Sequence, residues 1–244
     1  MPSARALRTW GRRASFCQIR YAYFWPPSVA STFGYPSYMH NPLGPWLDTA
    51  AILRYHRQRI REYGPGGAEA LGWARSEGQQ VRFQTLTQIG DLAYHSVLDA
   101  GCGYADLYPY LRARFAGVQY HGIEHMPELL AVAQARYHGA ADITLSEGDF
   151  LRTPPPPADY VLASGALNYR PRNPQFIYRS IEKLFGSCRL GFGFNLLSWE
   201  PAGGGPLASY EPAVILAFCE QLAPRVELLE GYWEGDFTIF MYRQ

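Results

Sequence analysis

The sequence predicts a single α/β domain built on a doubly wound, seven-stranded, mostly parallel sheet with a C-terminal antiparallel hairpin. Three observations carry that reading. Beyond Asp91, short β-like runs alternate with helical segments, the order that covers a parallel sheet on both faces. One of the runs passes straight into a glycine-rich turn and a helix. The last two runs are separated only by a short turn around Glu234-Gly235-Asp236, so they pair antiparallel. A chain of 244 residues suits one such domain with an extension better than two full domains.

The elements follow in order. Residues 1–47 form an extension that holds Arg5, Arg8, Arg12, Arg13 and Arg20 and has no Asp or Glu before Asp48. An Arg-rich, acid-poor leader resembles a transit peptide, but this one is crowded with Tyr, Trp and Pro around Tyr21–Pro27 and lacks the apolar centre of a secretory signal. A loosely packed, dispensable extension is expected, with Met39 an alternative natural start. The domain proper is expected over 48–244. Asp48 caps a first helix that runs to Arg61, and a second covers Ser76–Ile89 after the Gly64-Pro65-Gly66-Gly67 breaker. Strands are expected at Ser96–Ala100, Gln119–Glu124, Ile143–Glu147, Tyr160–Ser164, Cys188–Leu196, Val226–Tyr232 and Phe237–Tyr242. The intervening helices are Ala105–Arg114, Pro127–Tyr137, Pro174–Phe185 and Tyr210–Gln221.

Composition narrows the partners. No apolar run reaches the roughly 18 residues of a membrane span, and a net charge of +1 provides no global field for nucleic acid. Cys17, Cys102, Cys188 and Cys219 are scattered without CxxC pairing or nearby histidine at ligand spacing, so no metal site is expected and a reducing cytoplasm fits best.

Chemistry concentrates at three strand ends. Val97-Leu98-Asp99-Ala100-Gly101-Cys102-Gly103-Tyr104-Ala105-Asp106 is an apolar strand entering a turn whose glycines bring peptide groups close to a ligand. The second strand ends at Glu124, about twenty residues on, where a carboxylate can accept from two vicinal ribose hydroxyls. The third is followed by Gly148-Asp149-Phe150, an acid for an adenine amino group beside an aromatic ring. Each alone is explained by a surface acid or a core ring; their joint occurrence in register favours a nucleoside site.

From Gln79 to the C-terminus the chain resembles the class I, Rossmann-like S-adenosylmethionine-dependent methyltransferases. The glycine-rich first motif matches Asp99–Asp106, with Ala105 where many members carry a further glycine. The resemblance implies S-adenosyl-L-methionine as methyl donor, held by Asp99, Gly101, Cys102, Gly103, Glu124, His125, Asp149 and Phe150, with Ala163 and Ser164 of the fourth strand beside its methionine half. A dinucleotide dehydrogenase fits less well, because Gly101 and Gly103 are followed by Tyr104-Ala105 and the three-glycine pyrophosphate fingerprint is not met. Helices before the first strand often cover the cofactor in such enzymes. Gln79 and Arg82, three apart on the second helix, are therefore cofactor candidates, Arg82 for the carboxylate; a solvent-facing polar stripe explains the same spacing.

Methyl transfer asks little of side chains, since the sulfonium is already activated and placement supplies much of the rate. The catalytic residues are therefore unassigned. Ser164, Asn168, Asn195 and Trp199 are candidates for the acceptor pocket, with Ser198, Tyr232, Trp233 and Phe237 as further walls. After the fourth strand stands Ser164-Gly-Ala-Leu-Asn168-Tyr169-Arg170, without the Asn/Asp-Pro-Pro-aromatic motif of planar-amide methyltransferases. His95, His121, His125 and His138 are possible bases, His125 lying nearest the cofactor edge. The function expected is methyl transfer to a small-molecule acceptor in the cytoplasm. The alternatives are a cofactor-binding regulatory or assembly protein without turnover, and an RNA or protein methyltransferase.

Overall fold

The computed structural model describes residues 44–73, 75–199 and 206–244. The Arg-rich segment, Met39 and Cys17 lie outside the described residues.

Seven strands form one sheet: β1 (Ser96–Ala100), β2 (Gln119–Glu124), β3 (Ile143–Glu147), β4 (Ala158–Ala163), β5 (Cys188–Leu197), β6 (Arg225–Glu230) and β7 (Asp236–Tyr242), in the order β3-β2-β1-β4-β5-β7-β6. Strands β1 to β5 pair in parallel, while β7 runs antiparallel between β5 and β6. The hairpin expected from the short turn is present. Its second strand inserts beside β5, from Gly191↔Tyr242 to Leu197↔Asp236. The order reverses between β1 and β4, so their C-terminal ends open the crevice in which such sheets bind ligands.

Six α-helices accompany the sheet among the described residues: α1 (Gly44–Tyr63), α2 (Ser76–Leu86), α3 (Leu107–Arg112), α4 (Pro127–Arg136), α5 (Phe176–Ser187) and α6 (Pro212–Glu220). Pro127 and Pro212 open α4 and α6, where a missing amide hydrogen costs nothing. Helix α3 is shorter than the sequence suggests, because the chain needs residues 101–106 for the turn. Helix α2 ends at Leu86 and tightens into a 3-10 turn, Thr87–Ile89.

The central strands of the sheet are buried on both faces, while the edge strands β3 and β6 are partly exposed. Val97 and Leu98, Val161 and Leu162, and Ile239 and Phe240 are neighbours that point to opposite sides, and all are buried. On one side Leu98, Val161 and Ile239 meet Ile177, Ile181 and Leu184 of α5 and Ile215 of α6. On the other, Val97, Leu162 and Phe240 meet Phe83 and Leu86 of α2 and Leu107 and Leu111 of α3. Each such side chain contributes on the order of 1.5–3 kcal/mol by leaving water. Helix α1 has its own small core: Leu53 and Ile60 pack with Ala70, Tyr104, Met126 and Leu129, and Arg57 pairs with Glu128 of α4. Thus α1 is seated over the end of β2. The three described cysteines are free and buried. Among the described residues no helix is long and apolar enough to cross a membrane.

Candidate active site

A cavity of about 1090 Å³ opens over the C-terminal ends of β1, β2 and β4, roofed by α1 and α2. Its size exceeds that of a typical single-ligand pocket, roughly 300–1,000 Å³.

Its floor is the turn after β1. Gly101 has φ +78 and Gly103 φ +57, a conformation that side chains resist. Space forbids them as well: a Cβ on Gly101 would stand 2.6 Å from the Cβ of Ala166, and one on Gly103 2.9 Å from Leu71. Ala105 also sits at φ +57. That is the left-handed region glycine enters freely, so the residue that departs from the family motif still holds a glycine-like backbone.

Carboxylates border this turn. Glu124 accepts from the amides of Gly103 at 2.8 Å and Met126 at 2.7 Å. Burial raises its pKa, while the backbone amides of Met126, Gly103 and His125 oppose the shift. Two amide bonds leave lone pairs on both oxygens for further donors. Asp99 is buried and accepts from the Tyr120 hydroxyl at 2.6 Å. Burial pushes its pKa up to about 7 against the Tyr120 hydrogen bond, with Glu124 and Asp106 repelling its charge. A cation arriving beside it would restore the ionised form. Asp149 accepts from the Leu151 amide at 2.9 Å and faces Arg152 at 3.4 Å. The ring of Phe150 flanks the Gly101 turn.

Of the cofactor candidates, Asp99, Gly101, Cys102, Gly103, Glu124, His125, Asp149, Phe150, Ser164, Gln79 and Arg82 line this one cavity. Ala163 does not: it is the last residue of β4, fully buried in the core, and only its neighbour Ser164 reaches the opening. The Ser164 hydroxyl oxygen is buried without a hydrogen-bond partner, a vacancy suited to a ligand polar group. Gln79 donates to Asp106 at 3.2 Å, and Asp106 in turn holds Arg136 at 2.9 Å.

Arg82 departs from expectation. Its Nε and one terminal nitrogen bind both oxygens of Asp236, and the pair is almost wholly buried, with side-chain exposures of 9% and 1%. The Trp73 ring lies over the guanidinium at 4.5 Å. That fork is committed within the protein rather than free for a cofactor carboxylate.

The acceptor candidates divide likewise. Trp199 lines the cavity and is half-exposed, pressed against Gly235, where a Cβ would fall 1.6 Å from its ring nitrogen. Trp73 and Trp233 line it too. Asn168 also lines it, but its carbonyl oxygen accepts from the Leu197 amide at 3.0 Å, so it clasps the loop after β4 to the end of β5. Asn195 lies within β5, opposite Thr238 of β7, fully buried and bonded to that residue at 2.6 Å, away from the cavity. Phe237 belongs to the core, and Ser198 and Tyr232 do not line the cavity.

Among the candidate bases only His125 reaches the cavity. His95 precedes β1 at the opposite sheet edge and faces Asp159 at 3.5 Å; His121 bonds Ser146 at 3.0 Å; His138 is an exposed residue after α4. The sequence reading missed His56. It lies on α1, buried, lines the cavity, and is hydrogen-bonded to Tyr169 of the loop after β4. Only its position in an Arg-rich helix was legible, and no spacing marked it.

Comparison with known proteins agrees with this geometry. Residues 97–185 match a family model described as a methyltransferase domain. The Mycobacterium tuberculosis protein named "Putative methyltransferase Rv1506c" is 32% identical over 157 residues, covering 60% of this chain and 92% of that protein. Trans-aconitate 2-methyltransferase of the same species is 29% identical over 104 residues, 42% of this chain and 38% of that protein. Among solved structures, magnesium protoporphyrin IX methyltransferase from Synechocystis PCC 6803 superposes with a TM-score of 0.61 at 16% identity, over 82% of this chain and 100% of that one. Human N-acetylserotonin methyltransferase gives 0.57 at 15% identity, over 84% and 68%. The chain belongs to the class I S-adenosylmethionine-dependent methyltransferases. It is accordingly an S-adenosylmethionine-dependent enzyme that moves a methyl group to an acceptor.

Proposed function

We propose that this enzyme methylates an oxygen, nitrogen or carbon atom of a small molecule with planar, apolar surface, bound in the same cavity as the methyl donor. The observation that carries the proposal is the continuity of two differently built compartments. One is the turn and acidic rim of Gly101, Gly103, Asp99, Glu124 and Asp149; the other is walled by Trp73, Trp199 and Trp233. Tryptophan faces favour flat apolar guests. The volume of about 1090 Å³ suits a nucleoside and an acceptor together.

In this reading Glu124 receives the ribose hydroxyls on the lone pairs its amide bonds leave open, and Asp149, beside Phe150, receives the adenine amino group. Asp99 and Ser164 serve the amino-acid end of the donor, the first by charge and the second through its unpartnered hydroxyl. Cys102, His125 and Gln79 complete the wall by shape and second hydrogen bonds. Bound S-adenosylmethionine supplies a methyl group already activated by the sulfonium. The protein's task is then to orient the acceptor and exclude water. The partial relative named for trans-aconitate supports a small-molecule acceptor, though not its apolar surface, which rests on the tryptophans alone.

The test is a metabolite-library screen that reads S-adenosylhomocysteine release. Turnover with at least one small planar compound, reduced by Trp199→Ala with S-adenosylhomocysteine affinity retained, is the expected result. Turnover confined to protein or RNA acceptors would overturn the proposal.

A further inference from the structure

His56 of α1 and Tyr169 of the loop after β4 are hydrogen-bonded to each other in the wall of the cavity. We infer that this pair is a proton relay that accepts the proton of a neutral hydroxyl, phenolic or enolic acceptor, making this an oxygen methyltransferase. The inference rests on the small-molecule reading above.

Hydrogen-bond directions fix the pair's polarity. The His56 Nδ1 lies 3.3 Å from the carbonyl oxygen of Ala70, which can only accept, so Nδ1 carries the proton. In a neutral imidazole Nε2 is then bare, and the Tyr169 hydroxyl donates to it. Donation toward His56 leaves the phenol oxygen's lone pairs for a hydrogen-bond donor in the cavity that both residues line. The two rings meet edge to face, 5.7 Å between centres, which holds this orientation.

Protonation narrows the acceptor. Tyr55 and Arg59 on α1 and Glu124 at the end of β2 are the titratable groups acting on the pair. Burial lowers the His56 pKa from 6.5; the Ala70 hydrogen bond opposes this and Arg59 reinforces it. Burial, Tyr55 and Glu124 raise the Tyr169 pKa, so its hydroxyl remains protonated and able to relay. A neutral amine is a nucleophile before it loses a proton, whereas a neutral hydroxyl is a poor one until its proton is taken. A carboxylate acceptor is already ionised and has no proton for a relay. A neutral oxygen acid is the class that uses one.

In the step itself, the acceptor oxygen forms its bond to the methyl carbon as the methyl–sulfur bond breaks and its electron pair stays on sulfur. The acceptor proton passes to the Tyr169 oxygen while the Tyr169 proton passes to His56 Nε2, and the imidazolium then returns it to solvent.

Two readouts test the relay on the full chain. Long-range proton–nitrogen spectra of the S-adenosylhomocysteine complex should show His56 in the Nδ1-protonated tautomer at neutral pH, with Nε2 moved by Tyr169→Phe. In turnover, simple phenols should be methylated in preference to carboxylic acids and primary amines, with an acid limb below pH 6.5. His56→Gln and Tyr169→Phe should each lower kcat about 10²–10⁴-fold while keeping S-adenosylhomocysteine affinity within about twofold. Acidic 4-nitrophenol, which ionises unaided near neutral pH, should lose far less. An Nε2-protonated tautomer, turnover of acids or amines alone, unchanged kcat and pH profile in both variants, or parallel loss of S-adenosylhomocysteine affinity would each overturn the inference. Turnover of protein or RNA acceptors alone would sink the small-molecule reading, whereas turnover of small molecules only at carbon or nitrogen would overturn the relay and leave that reading standing.

Discussion

Replacing Asp236 by alanine strands the Arg82 guanidinium in a wall where only 9% of its side chain meets solvent. Both charges left water when the protein folded, and the fork-to-carboxylate geometry offsets that cost. Removing one partner leaves a desolvated charge without its counter-ion, so Asp236→Ala should cost about 3–5 kcal/mol. In a domain of this size that lowers the melting midpoint on the order of 10 °C. The double variant Arg82→Met, Asp236→Leu removes both charges and keeps an apolar chain under Trp73, and should recover most of the loss. Urea unfolding of the parent, both single variants and the double variant measures the coupling directly. S-adenosylhomocysteine titration of the same proteins separates two roles for Arg82. If it grips the donor's carboxylate, Arg82→Met weakens binding by about 1.5–3 kcal/mol even in the double variant. If it belongs to Asp236, the double variant binds nearly as the parent does. A cost below about 1 kcal/mol for Asp236→Ala, within the range of solvated pairs, would refute the reasoning.

Asp99 makes stability and binding depend on pH. Its folded pKa of about 7 lies above the ordinary 3.8, so the folded state holds more protons between those values. Its contribution is whole below about pH 4 and is lost as pH rises toward 7; Asp99→Asn should flatten that part of a denaturation-versus-pH curve. Binding of S-adenosylhomocysteine at pH 6 should release a proton from Asp99, seen as a calorimetric enthalpy that varies with buffer ionisation enthalpy, and the asparagine variant should lose that dependence. Gly101→Ala, forced to φ +78 against Ala166, should cost about 1–2 kcal/mol from the backbone alone and weaken cofactor binding, read by thermal shift with and without S-adenosylhomocysteine.

The sheet was legible because buried parallel strands are apolar runs bounded by turn residues, and Val97–Ala100 and Tyr160–Ala163 show this plainly. The acids at its edge were legible because a strand end followed by Gly or Asp is a local pattern. What escaped was set by distant partners. The short turn before Asp236 shows that β6 and β7 are neighbours, but which of them joins β5 depends on side chains across the sheet. Arg82 and Asp236 are 154 residues apart, so a helix spacing of three could suggest a polar face and not its counter-ion. Asn195 reads as an acceptor-pocket candidate although it lies inside the expected strand Cys188–Leu196, because nothing local shows that its side chain turns to Thr238 of β7 rather than to the cavity. His56 and Tyr169, 113 residues apart, meet only because α1 packs over Met126 and Leu129.

The most direct test of the central claim is calorimetric titration of the purified chain with S-adenosylhomocysteine, S-adenosylmethionine and NAD, repeated on Glu124→Ala. The account predicts binding of the two sulfur nucleosides and none comparable for NAD, with Glu124→Ala weakening the former by about 1.5–3 kcal/mol as charge-assisted hydrogen bonds are lost. Tight NAD binding, or S-adenosylhomocysteine binding that is indifferent to Glu124, would contradict it.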